Sequence, residues 1–347
     1  MRLSACLAAA TLAFGAAARA RAADTILITG AGATFPAPLY QKWFSDYNKA
    51  HPSIQINYQA IGSGGGIKGI TERTVDFGAS DAPLTEEQMA KAGDIQHIPT
   101  VMGAVVVTWN EPDVKSLKLS PETLAGIFLG KITTWNDAAI AKDNPGATLP
   151  ATPLSVAHRS DGSGTTSIFT DYLSKAAPEW KEKVGKGTSV NWPTGLGAKG
   201  NDGVTGMVKA TRGSIGYVEL LYANQNKLPV AELKNHDGNF VKPTLEGVAA
   251  AAAAVEMPAD YRVSITDSPG KQAYPIASFT YLLVPKDNPN VEKGTALLQF
   301  IHWAVHGGQK DAAPMDYAPL PKAVVAKVDA TLKALKVGGK EVLAHSK

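Results

Sequence analysis

Leu154-Ser155-Val156-Ala157-His158-Arg159-Ser160-Asp161-Gly162-Ser163-Gly164-Thr165-Thr166 reads as a strand, a turn and the start of a helix. Leu154 to Ala157 is the strand. From Thr165, the residues Ile168, Phe169, Tyr172 and Leu173 recur at helical spacing. Small residues and an Arg-x-Asp pair make the turn between them. A helix that opens in this way presents unpaired N–H groups and a partial positive charge. Glycine lets a ligand reach the backbone, and Ser and Thr add hydroxyl donors.

The same arrangement occurs twice upstream. Gly30-Ala31-Gly32-Ala33-Thr34-Phe35-Pro36 follows a strand at Ile26–Thr29, and Pro36 suits a first helical turn. Gly62-Ser63-Gly64-Gly65-Gly66 follows a strand at Ile54–Tyr58. Any one of these loops is explained by ordinary helix capping. Three in one chain, one of them carrying Arg159, point to capture of an oxyanion on helix starts.

Strands and helices alternate along the rest of the chain, so the fold class is α/β. Further strands are expected at Val75–Gly78, Val105–Trp109, Ile215–Val218 and Phe279–Val284. Helices are expected at Pro38–Tyr47, with Trp43, Phe44 and Tyr47 on one face, and at Thr295–Val305. The Ala249–Ala254 run suits a surface helix on propensity. No repeat of solenoid length is present.

Residues 1–23 have the plan of an export signal: Arg2, an apolar run, and Ala20-Arg21-Ala22 as a cleavage site. The chain carries a formal net charge of +3. Arg2, Arg19 and Arg21 account for all of it, so the exported part is near neutral and no nucleic-acid partner is implied. The single cysteine, Cys6, lies in the signal, which leaves no disulfide and no thiolate metal site. About 320 exported residues suit two domains.

Asp81, in Phe77-Gly78-Ala79-Ser80-Asp81-Ala82-Pro83, has two readings. One is a plain turn or cap at a strand end. The other is selection: an ionised carboxylate only accepts hydrogen bonds, so it repels sulfate and accepts the proton that phosphate retains. Arg159 can offer a charged fork to an anion, with Asp161 holding that fork; alternatively the two are a surface pair of little energetic weight.

Gly30–Pro38, Ile61–Gly66, Thr74–Pro83 and Arg159–Thr165, together with Leu129–Asn136, Gly200-Asn-Asp-Gly203 and Gly213–Glu219, resemble the phosphate-binding protein of bacterial ABC phosphate importers. The resemblance spans the exported chain in order. It implies a two-lobed periplasmic-binding-protein (type II) fold with the ligand in the inter-lobe cleft. It implies a discontinuous first lobe, residues 24–103 and 277–347, and a second lobe of residues 104–276, with crossings near Val101–Val107 and Ser278–Leu283. Thr34, Phe35, Ser63, Asp81, Arg159, Ser163, Gly164 and Thr165 would surround phosphate, Phe35 and Gly164 through backbone N–H groups. Asp81 would accept the ligand proton and Asp161 would pair with Arg159. Gly64 departs from the pattern, where a second Ser is usual. The expected protein is a periplasmic monomer without a cofactor, not an enzyme, serving a membrane permease and its ATPase.

Other motifs carry less. Gly195-Leu-Gly-Ala-Lys-Gly200 fits G-x-G-x-x-G but does not follow a strand. His158, Asp161 and Ser163 are the residue types of a hydrolase triad, crowded onto one loop without a nucleophile elbow. His302 and His306 are one helical turn apart, with no third metal ligand evident nearby in the sequence. The rivals to phosphate capture are a binder of sulfate or molybdate and a secreted phosphatase.

Overall fold

A computed structural model describes residues 25–343; the export signal expected at residues 1–23 lies outside them. The main sheet comprises β1 (Ile26–Gly32), β2 (Ile54–Ala60), β3 (Phe77–Ser80), β4 (Ile95–Asn110), β5 (Ser155–Arg159), β6 (Leu196–Ala198), β7 (Ser214–Glu219) and β8 (Ala277–Pro285). Their order across the sheet is β2-β1-β3-β8-β4-β7-β5-β6. The helices used below are α1 (Ala37–Ala50), α2 (Ser63–Thr71), α3 (Gly164–Ala176), α4 (Gly200–Ala210), α5 (Val291–Val305) and α6 (Lys322–Ala334).

β4 organises the molecule. It is 16 residues long and almost wholly buried, as a continuous apolar strand should be. Ile95–Ala104 runs antiparallel to β8, whereas Val105–Asn110 runs antiparallel to β7. The strand therefore changes partner between Ala104 and Val105. The hydroxyl of Tyr274 donates to Val105 O at 3.0 Å at this handover. The β4–β8 register shifts between Thr280 and Tyr281, whose partners are Val101 and Pro99. Thr100 is the extra residue of a bulge, beside a proline with no N–H to give.

Each half of the sheet has its own aromatic packing. In the first, Phe44 and Tyr47 of α1 lie 5.3 Å from the ring of Phe300 on α5. In the second, Phe169 of α3 stacks on Tyr217 of β7 at 4.3 Å. Burying one such ring contributes roughly 1.5–3 kcal/mol. Among the described residues, no helix is long and apolar enough to cross a membrane.

Several boundaries differ from the sequence-based expectation. The third strand is Phe77–Ser80 rather than Val75–Gly78, because Asp76 is engaged beforehand. Its carboxylate accepts from Thr29 N at 2.7 Å, from Thr29 Oγ1 at 2.9 Å and from Lys293 Nζ at 3.0 Å. Gly30 and Gly32 belong to β1 rather than to a loop. The glycines of Gly64–Gly66 lie inside α2, which starts at Ser63. Close packing overrides their poor helix propensity: a Cβ on Gly66 would fall 2.5 Å from Ala79 O and 2.7 Å from Ala31 O. The helix expected at Ala249–Ala254 spans Leu245–Ala253 and buries one face, with Val248 and Ala251 fully inaccessible.

Candidate functional site

The three small-residue segments converge where β4 changes partner. Thr34 and Phe35 link β1 to α1, and the Phe35 ring packs against Gly103, where a Cβ would lie 2.7 Å from it. Ser63 is the first residue of α2, and Asp81 directly follows β3. From the other half of the sheet, Arg159 ends β5 and Ser163 caps α3, whose first residues are Gly164 and Thr165. Thr34, Ser63, Asp81, Arg159, Ser163 and Thr165 are all buried, although all are polar or charged.

The two halves touch at glycine. Gly64 N donates to Gly162 O at 2.8 Å. A Cβ on Gly164 would sit 2.5 Å from Asp81 Oδ2, 2.7 Å from Asp81 Cβ, and against Ser63 Oγ. Only the absence of a side chain allows the start of α3 to close on Ser63 and Asp81.

Asn201, in the first turn of α4, organises the hydroxyls and was given no role in the sequence reading. Its N and Nδ2 donate to Thr34 Oγ1 at 3.2 and 2.8 Å, and Nδ2 also donates to Thr165 Oγ1 at 3.0 Å. Its Oδ1 accepts from Glu219 N at 2.9 Å. Arg159 Nη1 donates to Thr165 Oγ1 at 3.3 Å. A hydroxyl has one hydrogen and two acceptor positions. Both acceptor positions are filled on Thr34 and on Thr165, so each hydrogen is left to donate elsewhere. Ser163 Oγ accepts from Thr166 N at 3.0 Å and likewise keeps its hydrogen. Among the described residues, no backbone or side-chain acceptor takes the N–H of Phe35, Gly164 or Thr165. The site is rich in donors with no protein acceptor.

Asp81 is the exception. Its Oδ1 accepts from Thr280 Oγ1 at 2.8 Å, Ser63 Oγ lies 3.4 Å from Oδ2, and Asp81 N donates to Ser63 Oγ at 3.2 Å. Burial pushes its pKa up to about 7, against the opposing pull of Thr280, Arg159 and Ser63. Thr280 was another residue missed in the sequence, where it reads only as a strand residue.

Arg159 is fixed by a bidentate pair: Nε to Asp161 Oδ1 at 2.8 Å and Nη2 to Asp161 Oδ2 at 2.6 Å. Burial opposes ionisation of Asp161, but the hydrogen bonds and charge of Arg159, with Gly200 N at 3.1 Å, outweigh it and hold its pKa below the usual carboxylate value. The pair is therefore no loose surface contact. The Arg159 side chain is 1% exposed, and an intact buried pair of this kind fixes geometry more than it adds stability.

Two tyrosines clamp the first segment: Tyr222 Oη donates to Thr34 O and Tyr317 Oη to Phe35 O, both at 2.6 Å. Tyr317 Oη also lies 3.2 Å from Glu219 Oε2. Burial raises the Glu219 pKa well above its ordinary value, despite the hydrogen bonds from Leu221 N and Tyr317. The three triad residue types have other engagements. His158 stacks on Trp192 at 4.8 Å and its Nδ1 contacts Arg159 O at 3.0 Å, while Asp161 holds Arg159. His302 and His306 gain a neighbour that sequence spacing could not supply: Asp329 Oδ1, on α6, lies 2.8 Å from His306 Nε2. From Asp81 a cleft of about 710 Å³ leads outward past Thr85, Ser167, Lys186 and Ser264.

Residues 15–306 match the family model described as a PBP superfamily domain. The chain is 46% identical over 310 residues to the phosphate-binding protein PstS of Xylella fastidiosa strain Temecula1, covering 88% of this chain and 85% of that one. It is 47% identical to the phosphate-binding protein PstS of Pasteurella multocida, covering 88% of this chain and 90% of the relative. Among solved structures it resembles a high-affinity periplasmic phosphate-binding protein, PfluDING, bound with phosphate, with TM-score 0.75, 24% identity, and 90% and 97% of the two chains covered. It also resembles a phosphate-binding protein from Stenotrophomonas maltophilia, with TM-score 0.70, 22% identity, and 88% and 94% covered. These two structural likenesses concern the fold.

Proposed function

This chain belongs to the phosphate-binding proteins of the PBP superfamily, and on that premise we propose that it captures inorganic phosphate between its two lobes and delivers it to an ABC importer. The donor-rich site, with the buried Asp81 carboxylate set among those donors, carries this reading. Phosphate near neutral pH offers oxygens to many donors and keeps at least one proton for one acceptor.

In this reading Thr34, Phe35, Ser63 and Asp81 act from one lobe, residues 24–103 and 277–347. Arg159, Ser163, Gly164 and Thr165 act from the other, residues 104–276. Phe35 and Gly164 use backbone N–H groups, and Asp161 orients the Arg159 fork. The handover within β4 supports placing the division there. The anion's charge is spread over helix starts and hydroxyls, with one arginine as counter-charge. Asp81 accepts the ligand's proton and turns sulfate away, since sulfate has no proton to offer. Closing of the lobes follows from ligand groups contributed by both, because a ligand stabilises the conformation it binds better.

The protein acts in the periplasm after export, as a monomer that docks on a permease coupled to an ATPase. It is a binder rather than a catalyst: Ser163 Oγ caps α3, and Asp161 is held by the arginine fork rather than by an imidazole. Isothermal titration of the phosphate-free exported protein with phosphate and with sulfate tests the proposal. Tight one-to-one phosphate binding without comparable sulfate binding is expected. Sulfate binding as tight as phosphate binding would overturn the role of Asp81. Turnover of a phosphomonoester would overturn the non-catalytic reading.

A further inference from the structure

His302 lies in the last turn of α5 and His306 directly follows that helix. Asp329 projects from α6 to meet them. The three ligand atoms lie within 4.8 Å of one another. His306 Nε2 is 2.8 Å and His302 Nε2 is 3.9 Å from Asp329 Oδ1. Two ligands on a tetrahedral zinc ion, each about 2.1 Å from the metal, are separated by roughly 3.4 Å. Those two separations straddle that value, and the third, up to 4.8 Å between the two imidazoles, closes onto a metal by rotation of the rings. Both histidines are exposed, which leaves their rings free to turn and lets an ion enter without opening the fold.

We propose that His302, His306 and Asp329 form a surface site for a divalent transition-metal ion of the zinc class. Two imidazoles and one carboxylate are the borderline ligand set that favours zinc over magnesium or calcium, which seek more oxygens. Three protein ligands leave a fourth position for water, so the ion exchanges readily. Lys333, one turn after Asp329, lines a hollow shared by His302 and Asp329 with Tyr47, His51 and Trp303. Its positive charge lowers affinity and makes the site a moderate binder.

The site is remote from Thr34 and Phe35. α1 has 14 residues and runs from that segment to Tyr47 and His51 beside the hollow, a span of roughly 20 Å at 1.5 Å per residue. A bound ion would tie the end of α5 to α6 and leave the cleft as it is. It therefore raises thermal stability without altering phosphate affinity.

The test is titration of Zn²⁺ into the exported chain, free of any added histidine tag, in phosphate-free buffer. One saturable equivalent is expected, accompanied by a rise in Tm. His302→Ala, His306→Ala and Asp329→Asn should each weaken it at least tenfold, on the scale by which even outer partners of metal ligands matter. Phosphate affinity in each variant should remain native, which also verifies folding. Co²⁺ added to the unaltered chain gives a readout independent of any variant: intense visible bands report a tetrahedral site. Absence of saturable Zn²⁺ uptake, native Zn²⁺ affinity in the His302→Ala/His306→Ala double variant, or Mg²⁺ binding as tight as Zn²⁺ would each overturn the proposal.

Discussion

At the scale of single residues, the role proposed for Asp81 is the one most open to test. Replacing it with Asn removes a charged acceptor but keeps the shape. A hydrogen bond to a charged group contributes about 1.5–3 kcal/mol, so the phosphate-to-sulfate ratio should fall tenfold to roughly a hundredfold. Phosphate affinity itself should change less, and competition titrations with both anions measure the difference. The pKa of about 7 adds a pH signature. As pH falls through that value Asp81 gains a proton and becomes a donor, and in its proposed role it would then cease to repel sulfate. Sulfate affinity should therefore rise between about pH 8 and pH 5.5 in the native protein but stay flat in Asp81→Asn. Stability follows the same group. Its folded pKa is raised above 3.8, so the neutral form stabilises the phosphate-free fold. That contribution is complete below the unfolded pKa and is lost as pH rises through about 7. Denaturant melts across this window should slope downward with pH in the native chain and less steeply in Asp81→Asn. Gly164 offers a steric counterpart. A methyl group there meets Asp81 and Ser63, and overpacking costs about 1–3 kcal/mol. Gly164→Ala should lose about tenfold or more in phosphate affinity while its far-UV circular dichroism stays native.

Among the elements, the first turn of α4 exerts control out of proportion to its size. Asn201→Ala removes donors from Thr34 and Thr165 and strands the N–H of Glu219. Leaving a buried polar group unpaired costs about 1–3 kcal/mol. Phosphate and sulfate affinities should fall together, because Asp81 is untouched. A changed selectivity in this variant would show that Asn201 acts on discrimination after all. The element scale also shows how far the sequence carried. The strand–loop–helix units were legible because glycine, serine and hydrophobic spacing are local signals. So were the positions later found together, from Thr34 to Thr165. Asn201 and Thr280 were not, since their meaning lies in partners 167 and 199 residues away. Asp329 was hidden for the same reason: its partner His306 lies 23 residues upstream, just past the end of α5. Strand ends shifted where a side chain such as Asp76 or a close-packed glycine decided the boundary, which propensity cannot anticipate.

For the whole molecule, phosphate should act as a staple between the two lobes. At a concentration of 100 Kd a ligand of the folded state adds about 2.7 kcal/mol to stability. Phosphate at that level should raise Tm clearly, whereas sulfate at equal concentration should leave it near the ligand-free value. Small-angle scattering should show a smaller radius of gyration with phosphate than without it, as closure of two lobes requires. An unchanged radius would place the closed form as the resting state in solution.

β8 has a further consequence, one that concerns time. It completes the half of the sheet that holds Thr34, Ser63 and Asp81, pairing with residues 95–104 after about 170 intervening residues have passed. Contacts so distant in sequence form slowly. A chain emerging from its amino terminus can finish the intervening half, including Arg159 and Thr165, while the first half still waits for its last strand. On this connectivity residues 26–104 are expected to lock only after Ala277–Pro285 has been delivered, later than the segment that follows them in the sequence.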